Sequence, residues 1–306
     1  MRSSVCIFAH NEEKNLPRCI EALDGAAAGS DYVVHILENG SKDQTALVAR
    51  AFSAADDRIH VHRLPIADKA NAWNEYIHRI ADPADFHIFI DADVVAWRGA
   101  FRAFSLAFEA SKGALGAAGL PTSGRSRRQW TAKLFNERCL SGNLYALSSK
   151  ALDLIRAREI RMPVGLIGED GLLSYLLRTD LKGGREDTHR ERIAIATGAF
   201  FEFESLGLNV RDLGVYRRRL RRYALRYFQD TILYSILKEE GLRSMPEYIE
   251  DIYTSANVER LAPRRELQNY FIDLQVLNEL KAFVAADEAY AASGGDAPIE
   301  DAAVTS

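Results

Sequence analysis

Short apolar runs and amphipathic segments alternate along the first third of the chain. Apolar runs bounded by polar residues are typical of strands, whereas apolar residues repeated every three or four positions are typical of helices. The strand-like runs are 5–9, 32–37, 59–64 and 86–90, and the helix-like segments between them are 11–23, 41–52 and 69–80. This rhythm predicts right-handed crossovers and a mostly parallel sheet, so we expect an α/β fold.

The pattern becomes less regular after residue 93. Further strand-like runs lie at 114–120, 144–147 and 193–203, further helix-like segments at 101–108 and 168–177, and a basic loop at 124–128. Helix-like segments dominate from residue 212, and the end of the chain is small and polar enough to be disordered. We therefore expect an α/β domain over 1–210, a helical C-terminal extension over 211–290 and a disordered tail over 291–306.

The composition is that of an ordinary soluble protein, with 47% hydrophobic residues, 27% charged residues and a formal net charge of -4. The sequence has no excess of basic residues, so its composition does not indicate nucleic acid as a partner. Cys6, Cys19 and Cys139 are odd in number and lack the spacing of metal ligands, which suits buried thiols in a reducing cytosol. The sequence contains neither a signal-peptide pattern nor an apolar run of membrane-spanning length, so we expect a cytoplasmic protein.

An Asp-Ala-Asp sequence directly follows the apolar run 86–90. Ligands of open α/β sheets bind beyond the carboxyl ends of such strands. Asp91 and Asp93 would repel each other there unless a cation or a shared proton intervened. Mg²⁺ is usually held by one or two carboxylates together with substrate phosphates, so this is a candidate metal site. Because Asp is also a favoured N-cap, helix capping is the alternative.

Two earlier strands end in polar sequences at the same edge of the predicted sheet. The first strand ends in the sequence at 9–12, and the second continues into the sequence at 38–43. His10 could stack on a nucleotide base, and Glu38 could accept hydrogen bonds from a base or a ribose. Each also has a structural interpretation, because His10 can belong to a helix cap and the residues after Glu38 to a turn.

Together, three blocks resemble the motifs of the inverting family-2 glycosyltransferases of the GT-A fold. That family has A-Y-N-E after its first strand, then D-D-G-S-x-D-x-T, then D-A-D. This chain has A-H-N-E at 9–12, E-N-G-S-K-D-Q-T at 38–45 and D-A-D at 91–93. The resemblance covers roughly the first two-thirds of the chain. It implies a Rossmann-like, mostly parallel mixed sheet flanked by helices, with catalysis in 1–210 and a helical C-terminal extension.

The resemblance implies a nucleoside-diphosphate sugar as donor, with a UDP-sugar favoured and a GDP-sugar as second choice, and Mn²⁺ or Mg²⁺ as cofactor. His10 would pack on the base and Glu38 would contact it. Asp91 would contact ribose and metal, while Asp93 would coordinate the metal directly. Lys69 matches the start of the family's K-x-x-A-x-N helix near the ribose and diphosphate, and a surface lysine is the alternative. The residues expected to bind the nucleotide sugar are Ala9, His10, Asn11, Glu38, Lys69, Asp91, Ala92, Gly142, Glu169, Arg219 and Arg222.

The sequence Gly-Glu-Asp-Gly at 168–171 matches the E-D block that carries the family's catalytic base. By this resemblance we assign the base to Asp170, with Glu169 as the second choice. Helix capping is the other role for one of the two, since a helix N-terminus stabilises carboxylates. Gly142 lies in a segment similar to the family's small-residue strand under the donor sugar, where a side chain could obstruct the ligand. Otherwise it is a turn glycine.

Arginines are concentrated at 217–226. Arg219 and Arg222, followed by Tyr223, resemble the family's R-x-x-R-W block, whose side chains lie near the diphosphate and the acceptor. A solvated helix face and a patch for anionic lipid headgroups are the alternatives, and the lipid patch would suit a lipid-linked acceptor. The apolar repeat over 267–285 predicts core packing or a dimer face.

These motifs predict a metal-dependent inverting glycosyltransferase of the hexosyltransferase type, acting on a glycan or lipid-linked acceptor in cell-surface glycan or glycolipid synthesis. Contact with the inner face of the membrane and a homodimer are further expectations. One alternative is a haloacid-dehalogenase-like phosphatase, which also places D-x-D after an apolar strand, although three strands precede Asp91 here. The other is a non-catalytic sugar-nucleotide-binding protein, which the unusual His10 and Glu38 would suit.

Overall fold

The structure is a computed structural model that describes residues 2–185, 188–203 and 213–292. The domain boundary expected after residue 210 lies outside this described part, and so do residues 293–306 of the expected tail. The last helix continues through Ala292, so the first two residues assigned to the tail are helical.

The strands of the described part form one mixed sheet. They are β1 Arg2–Ala9, β2 Asp31–Asn39, β3 Ile59–Leu64, β4 Phe86–Asp91, β5 Val94–Ala96, β6 Gly116–Pro121, β7 Leu144–Ser148 and β8 Ile193–Phe203. Their order across the sheet is β3-β2-β1-β4-β7-β6-β8-β5. The first four strands are parallel to one another, and β7 pairs antiparallel with both β4 and β6. The expected α/β fold with a mostly parallel mixed sheet is therefore confirmed.

Helices cover the sheet and continue past it as the expected helical C-terminal part. They are α1 Leu16–Glu21, α2 Leu23–Ala27, α3 Thr45–Ala55, α4 Lys69–Glu75, α5 Ala100–Ala110, α6 Arg127–Glu137, α7 Ser149–Ala157, α8 Glu169–Arg178, α9 Leu213–Glu240, α10 Ser255–Glu259 and α11 Leu267–Ala292. A π-helical turn, Tyr76–Ile80, extends α4 and completes the helix expected over 69–80. None of the described helices combines the length and hydropathy needed to cross a bilayer.

Two helix predictions need correction. The first helix begins at Leu16 rather than at residue 11, because Asn11 has a left-handed backbone (φ 56°) and Glu12 O closes a turn by accepting from the Asn15 amide. The basic loop expected at 124–128 instead leads into α6 at its fourth residue. This helix buries only Leu134, so its sequence carries little of the apolar periodicity that identifies a helix.

The core lies on both faces of the sheet. Alternate residues of β1 point to opposite faces, so Val5 and Ile7 join one hydrophobic cluster while Cys6 and Phe8 join the other. The cluster around Phe8 also contains residues from the later helices, namely Trp73, Leu173, Phe228 and Val276. A strand buried on both faces has a nearly continuous apolar sequence, which is why β1, β2 and β4 were predictable.

Candidate active site

The carboxyl ends of β1, β2 and β4 meet at one edge of the sheet. In the strand register Phe8 lies beside Asp91, and Ala9 lies beside Glu38. A cavity of about 860 Å³ opens at this edge and continues beneath the start of α8 and one side of α9. Its wall contains most of the residues expected from the sequence, namely His10, Lys69, Asp91, Ala92, Asp93, Gly142, Glu169, Asp170 and Arg222.

Lys69 links the carboxylates of two different elements in this cavity. Its Nζ lies 2.6 Å from Asp91 Oδ1 and 2.9 Å from Glu169 Oε1. It also donates a hydrogen bond of 3.2 Å to the carbonyl of Gly142. The sequence predicted that these four residues contact the donor, and the structure brings them together around one ammonium group.

The start of α4 holds Lys69 in this position. Asp68 is the N-cap of the helix, and its Oδ1 accepts from the Asn71 amide at 2.6 Å. Its Oδ2 accepts from the Gly165 amide at 3.1 Å, which ties α4 to the segment before α8. Lys69 is the first residue after this cap, so one carboxylate fixes both the helix start and the neighbouring chain.

Burial and the central lysine set the ionisation of these groups. Burial raises the pKa of Asp91 to about 6, although Lys69 opposes that rise. Burial also acts to raise the pKa of Glu169, but Lys69 outweighs it and the pKa is lowered. Burial acts to lower the pKa of Lys69, whereas its two carboxylate partners raise it overall. The ammonium group of Lys69 therefore favours the ionised form of Glu169.

Asp93 and Glu12 form a second acidic group in the cavity wall. Burial raises the pKa of both carboxyls, and the charge of Glu12 raises that of Asp93 further. Among the described residues, no group of three or more His, Cys, Asp or Glu side chains is arranged to enclose a metal ion. A divalent cation beside Asp93 would therefore need oxygen ligands from a bound molecule and water, which is how Mg²⁺ is commonly held. The carboxylates present fit such a cation, because it would relieve their mutual repulsion.

Asp170 is the second residue of α8, whose free amides favour a carboxylate. The Nη2 of Arg226 lies 3.3 Å from its Oδ1. A Cβ atom added at Gly142 would lie 3.0 Å from the Cγ and Oδ2 of Asp170, closer than most real contacts. The absence of a side chain at Gly142 therefore leaves room for Asp170, and the Gly142 carbonyl accepts from Lys69.

His10 and Asn11 join the loops after β1 and β2. The Nδ1 of His10 lies 2.7 Å from the carbonyl of Asn39, and its Nε2 lies 2.9 Å from the amide nitrogen of Asn11. The Asn11 Oδ1 accepts from the amide of Lys42 at 2.8 Å. The His10 ring is thus held at its edge while its side chain remains exposed at the cavity.

Among the described residues that line the cavity, four of the expected donor-binding residues are missing: Ala9, Asn11, Glu38 and Arg219. Ala9 is fully buried in the core. Asn11 is occupied by the loop contacts, and Glu38 is buried, with Oε1 accepting from the Ser41 amide and Oε2 paired with Arg63 at 3.2 Å. Arg219 lies on the exposed surface of α9, where its charge acts on Asp93 only at longer range.

Several wall residues were not singled out from the sequence. They include Glu12, Trp130, Lys133, Asn143, Arg178, Arg226, Asp230 and Tyr234. One signal could have found three of them, because residues 222, 226, 230 and 234 are spaced four apart on α9 and lie on one helix face. Trp130, Lys133 and Arg178 come from α6 and α8, whose placement against the sheet is a property of the tertiary fold. Glu12 and Asn143 lie in the segments after β1 and before β7.

Comparison with protein-family models gives one match, to glycosyl transferase family 2, over residues 4–156. Comparison with curated proteins gives no match. Three solved structures illustrate the similarity of fold. Glucosyl-3-phosphoglycerate synthase from Mycobacterium tuberculosis, in complex with Mn²⁺, UDP and glucosyl-3-phosphoglycerate, is 19% identical over 74% of this chain and 79% of that chain, with a TM-score of 0.50.

The other two structures align with nearly the whole chain. TarS 1–349 from S. aureus, in complex with UDP-GlcNAc, is 14% identical over 93% of this chain and 82% of that chain, with a TM-score of 0.53. The mannosyltransferase PcManGT from Pyrobaculum calidifontis, in complex with GDP-Man and Mn²⁺, is 16% identical over 95% of this chain and 79% of that chain, with a TM-score of 0.51. At these identities the similarity establishes the GT-A fold.

The family match covers half of the chain and contains the three motif blocks at 9–12, 38–45 and 91–93. The expected family and fold are therefore confirmed. The chain belongs to glycosyl transferase family 2 and is a glycosyltransferase with a GT-A fold.

Proposed function

We propose that this enzyme transfers a sugar, with inversion and with the help of Mn²⁺ or Mg²⁺, from a nucleoside-diphosphate sugar to an acceptor hydroxyl. One observation carries the proposal: a single cavity contains the Lys69 cluster, the acidic group at Asp93, and Asp170. The side chains that we assign to donor binding, charge stabilisation and proton removal therefore all line the same cavity. The similar structures that hold UDP, UDP-GlcNAc or GDP-Man support this donor class.

The donor side of the cavity would hold the diphosphate and its cation. A divalent cation bound beside Asp93 would supply positive charge to the leaving diphosphate as a Lewis acid. Lys69 and Arg222 both line the cavity and would add fixed positive charge to the same group. Because Lys69 already neutralises Asp91, we assign the direct contact with the cation to Asp93 and the ribose side to Asp91.

On the acceptor side, Asp170 would act as general base. Its carboxylate takes the proton of the acceptor hydroxyl while the hydroxyl oxygen forms a bond to the anomeric carbon of the sugar. The bond from that carbon to the diphosphate breaks, and its electron pair leaves with the diphosphate. Attack from the face opposite the leaving group inverts the anomeric centre. Glu169 is the weaker candidate, since its side chain is only 6% exposed, whereas that of Asp170 is 20% exposed and more accessible to an acceptor.

The nucleotide would bind at the outer end of the cavity. The His10 ring is fixed by its contacts with Asn39 and Asn11, so it offers a rigid aromatic surface for a base. Ala9, Asn11 and Glu38 would act through the loops after β1 and β2, whose positions they set. A UDP-sugar is the favoured donor and a GDP-sugar the second choice, in line with the ligands of the similar structures.

A thermal-shift screen of UDP-, GDP- and dTDP-sugars, with and without Mn²⁺, tests the function. At least one sugar nucleotide should raise the melting temperature of the purified protein in a metal-dependent way, because a ligand stabilises the folded state that binds it. The same compound should release its nucleoside diphosphate slowly to water. A screen in which no sugar nucleotide binds or turns over would contradict the proposal.

The acceptor proposal rests on an exposed surface of α11. An apolar stripe of Leu267, Tyr270, Phe271 and Leu274 repeats at helical spacing, with Leu267 82% and Phe271 71% exposed. Arg217 of α9 contacts Gln275, next to the stripe, at 3.4 Å. An apolar stripe bordered by arginines is complementary to an anionic lipid surface.

We accordingly place the enzyme at the inner face of the membrane, with a glycan or lipid-linked acceptor in cell-surface glycan or glycolipid synthesis. Co-sedimentation should show binding to vesicles that contain phosphatidylserine and little binding to pure phosphatidylcholine, and salt should weaken it. Phe271→Asp should reduce binding, and Lys238→Gln on the far part of α9 serves as the control. Concentration-dependent dimerisation that Phe271→Asp abolishes, without vesicle binding, would assign the stripe to a homodimer instead.

The two alternatives make different demands. A phosphatase that used Asp91 as nucleophile would need that carboxylate free, whereas here Lys69 holds it at 2.6 Å. A non-catalytic binding protein would bind a sugar nucleotide without turnover on any acceptor. The family assignment favours transfer over both.

A further inference from the structure

Arg226 reaches into the cavity from α9 and lies between two carboxylates. Its Nη2 lies 3.3 Å from Oδ1 of Asp170, and its Nε lies 3.6 Å from Oδ2 of Asp230, one helical turn further along α9. All three side chains line the cavity. Arg226 and Asp230 lie outside the motif blocks that identify the family, and the mechanism above does not use them.

Two glycines make room for the guanidinium. A Cβ atom built at Gly168 would collide with the Arg226 guanidinium, and one built at Gly171 would lie 2.8 Å from its Nη2. Gly168 also needs its left-handed backbone (φ 94°), but Gly171 is an ordinary helical residue, for which alanine would favour the helix. The glycine at 171 is therefore explained by the space that Arg226 occupies.

The two carboxylates favour the charged form of Arg226. Burial acts to lower its pKa, but the charges of Asp170 and Asp230 outweigh burial and raise it. Burial raises the pKa of Asp230 to about 6, and Arg226 opposes that rise. Asp230 is thus a half-buried carboxylate whose described ion-pair partner is Arg226, which is the arrangement expected of an anchor.

We propose that Arg226 is a positioning residue for the catalytic base: it orients the carboxylate of Asp170, and Asp230 anchors Arg226 in turn. The inference rests on the proposed role of Asp170. An oriented, ionised carboxylate can accept the acceptor's proton without first breaking a hydrogen bond to water. The other role open to an arginine in this cavity is direct binding of the donor diphosphate or of an anionic acceptor.

The two roles predict different kinetics. An arginine that acts through the base changes kcat and the acid limb of the pH profile, whereas an arginine that binds substrate changes KM. The other charged or titratable groups around the trio are Glu169, Lys133, Cys139, Tyr145, Arg178 and Tyr234. These groups are the same in every variant below, so a difference between variants reports on the trio.

The experiment measures kcat and KM against pH for the wild type, Arg226→Gln, Arg226→Lys and Asp230→Asn, all loaded with Mn²⁺ and a sugar nucleotide that the wild type uses. Arg226→Gln should lower kcat about 100-fold with each KM changed less than about threefold. Its acid limb should move to higher pH, because a positive charge 3.3 Å from Asp170 Oδ1 is removed. Arg226→Lys should restore the limb and part of kcat.

Asp230→Asn should shift the acid limb of the pH profile in the direction opposite to that of Arg226→Gln. Removing a nearby negative charge should move this limb to lower pH, while kcat falls about tenfold because Arg226 loses its anchor. Lys238→Gln is the matched control for charge on α9 and should behave like the wild type. Thermal melts of every variant identify any that fail to fold, and Arg226→Lys then carries the test alone through its limb and KM.

Three outcomes overturn the inference. The acid limb of the Arg226→Gln pH profile could stay at the wild-type pH, or the loss of activity in Arg226→Gln could come mainly from a higher KM. Asp230→Asn could also keep the wild-type kcat, which would show that Asp230 does not anchor Arg226. Failure of the underlying function looks different. If Asp170→Asn transfers sugar at the wild-type rate, the assignment of the base is wrong whatever Arg226 does. If Asp170→Asn is inactive and Arg226→Gln keeps the wild-type profile, only the positioning role is lost.

Discussion

Lys69 shows how one side chain can organise the donor side of the site. Its ammonium group contacts Asp91 and Glu169 and donates to the carbonyl of Gly142. Without it, two largely buried carboxylates would face each other without their shared cation, which is costly in a low-dielectric site. The motif predicted that Lys69 lies near the donor, but its role as the link between β4 and α8 needed the three-dimensional structure, because its partners are 22 and 100 residues away in the sequence.

Substitution of Lys69 by methionine should therefore affect both stability and catalysis. We expect Lys69→Met to lower the free energy of unfolding by about 3 kcal/mol, measured by urea denaturation, since removing one partner leaves buried charges unpaired. Its kcat should fall about 100-fold through loss of charge at the diphosphate. Lys112→Met, at an exposed lysine, is the control. A Lys69→Met protein as stable and active as this control would refute the role of the cluster.

At the scale of elements, the predictions succeeded where burial leaves a local signal. The strands β1, β2 and β4 were visible because both of their faces are buried, whereas the edge strand β3 showed only an alternation of apolar and basic residues. Their polar ends lie together because parallel strands end at the same edge. The amphipathic signal failed for α6, which buries only Leu134. Nor did the sequence indicate that Arg226 and Asp230 line the cavity. Charged residues on one face of a helix normally predict a solvent-exposed face, and only the packing of α9 against α8 shows otherwise.

The cap of α4 gives a test at this scale. Asp68 accepts from the amides of Asn71 and Gly165, so Asp68→Ala should lose the cap and the tie to the segment before α8. We expect the free energy of unfolding to fall by about 1 to 2 kcal/mol. Asp68→Asn, which can still cap, should lose less. Equal unfolding free energies for Asp68→Ala and Asp68→Asn in urea titrations would show that the cap contributes little.

The whole molecule is a sheet with helices on both faces, and the C-terminal helices share a hydrophobic cluster with Phe8 and Trp73. The sequence predicted an α/β fold and a helical C-terminal part, but not the order in which β7, β6 and β8 extend the sheet. That order brings together segments that are distant in the chain, and local periodicity carries no information about it. The site follows the same division. Its strand ends and the starts of α4 and α8 were predictable from motifs, whereas the parts of its wall from α6 and from Arg226 onward on α9 were not.

Folding should also make the stability of the molecule depend on pH through a buried histidine. His87 on β4 is buried, with Nδ1 3.0 Å from the hydroxyl of Tyr76, and burial together with Arg156 lowers its pKa from 6.5 to about 4. Below pH 6.5 the unfolded chain binds a proton that the folded protein refuses, so stability should fall as the pH drops from 6.5 towards 4.

We expect this histidine to contribute about 2 kcal/mol to the loss of stability between pH 7 and pH 4.5. Urea unfolding of His87→Gln at both pH values should show a loss smaller by that amount. His189→Gln, at a half-exposed histidine outside the core, should keep the wild-type dependence. An unchanged dependence in His87→Gln would mean that other groups cause the loss.

The most direct test of the central claim, that one cavity holds the donor and the base that activates the acceptor, is to measure donor binding and turnover together in Asp170→Asn. With Mn²⁺ and a sugar nucleotide that the wild type uses, the variant should bind the donor within about threefold of the wild-type Kd, because Asp170 faces the acceptor. Its transfer rate should fall at least about 100-fold, because no base removes the acceptor's proton. Wild-type turnover in Asp170→Asn, or loss of donor binding in the folded variant, would contradict the account.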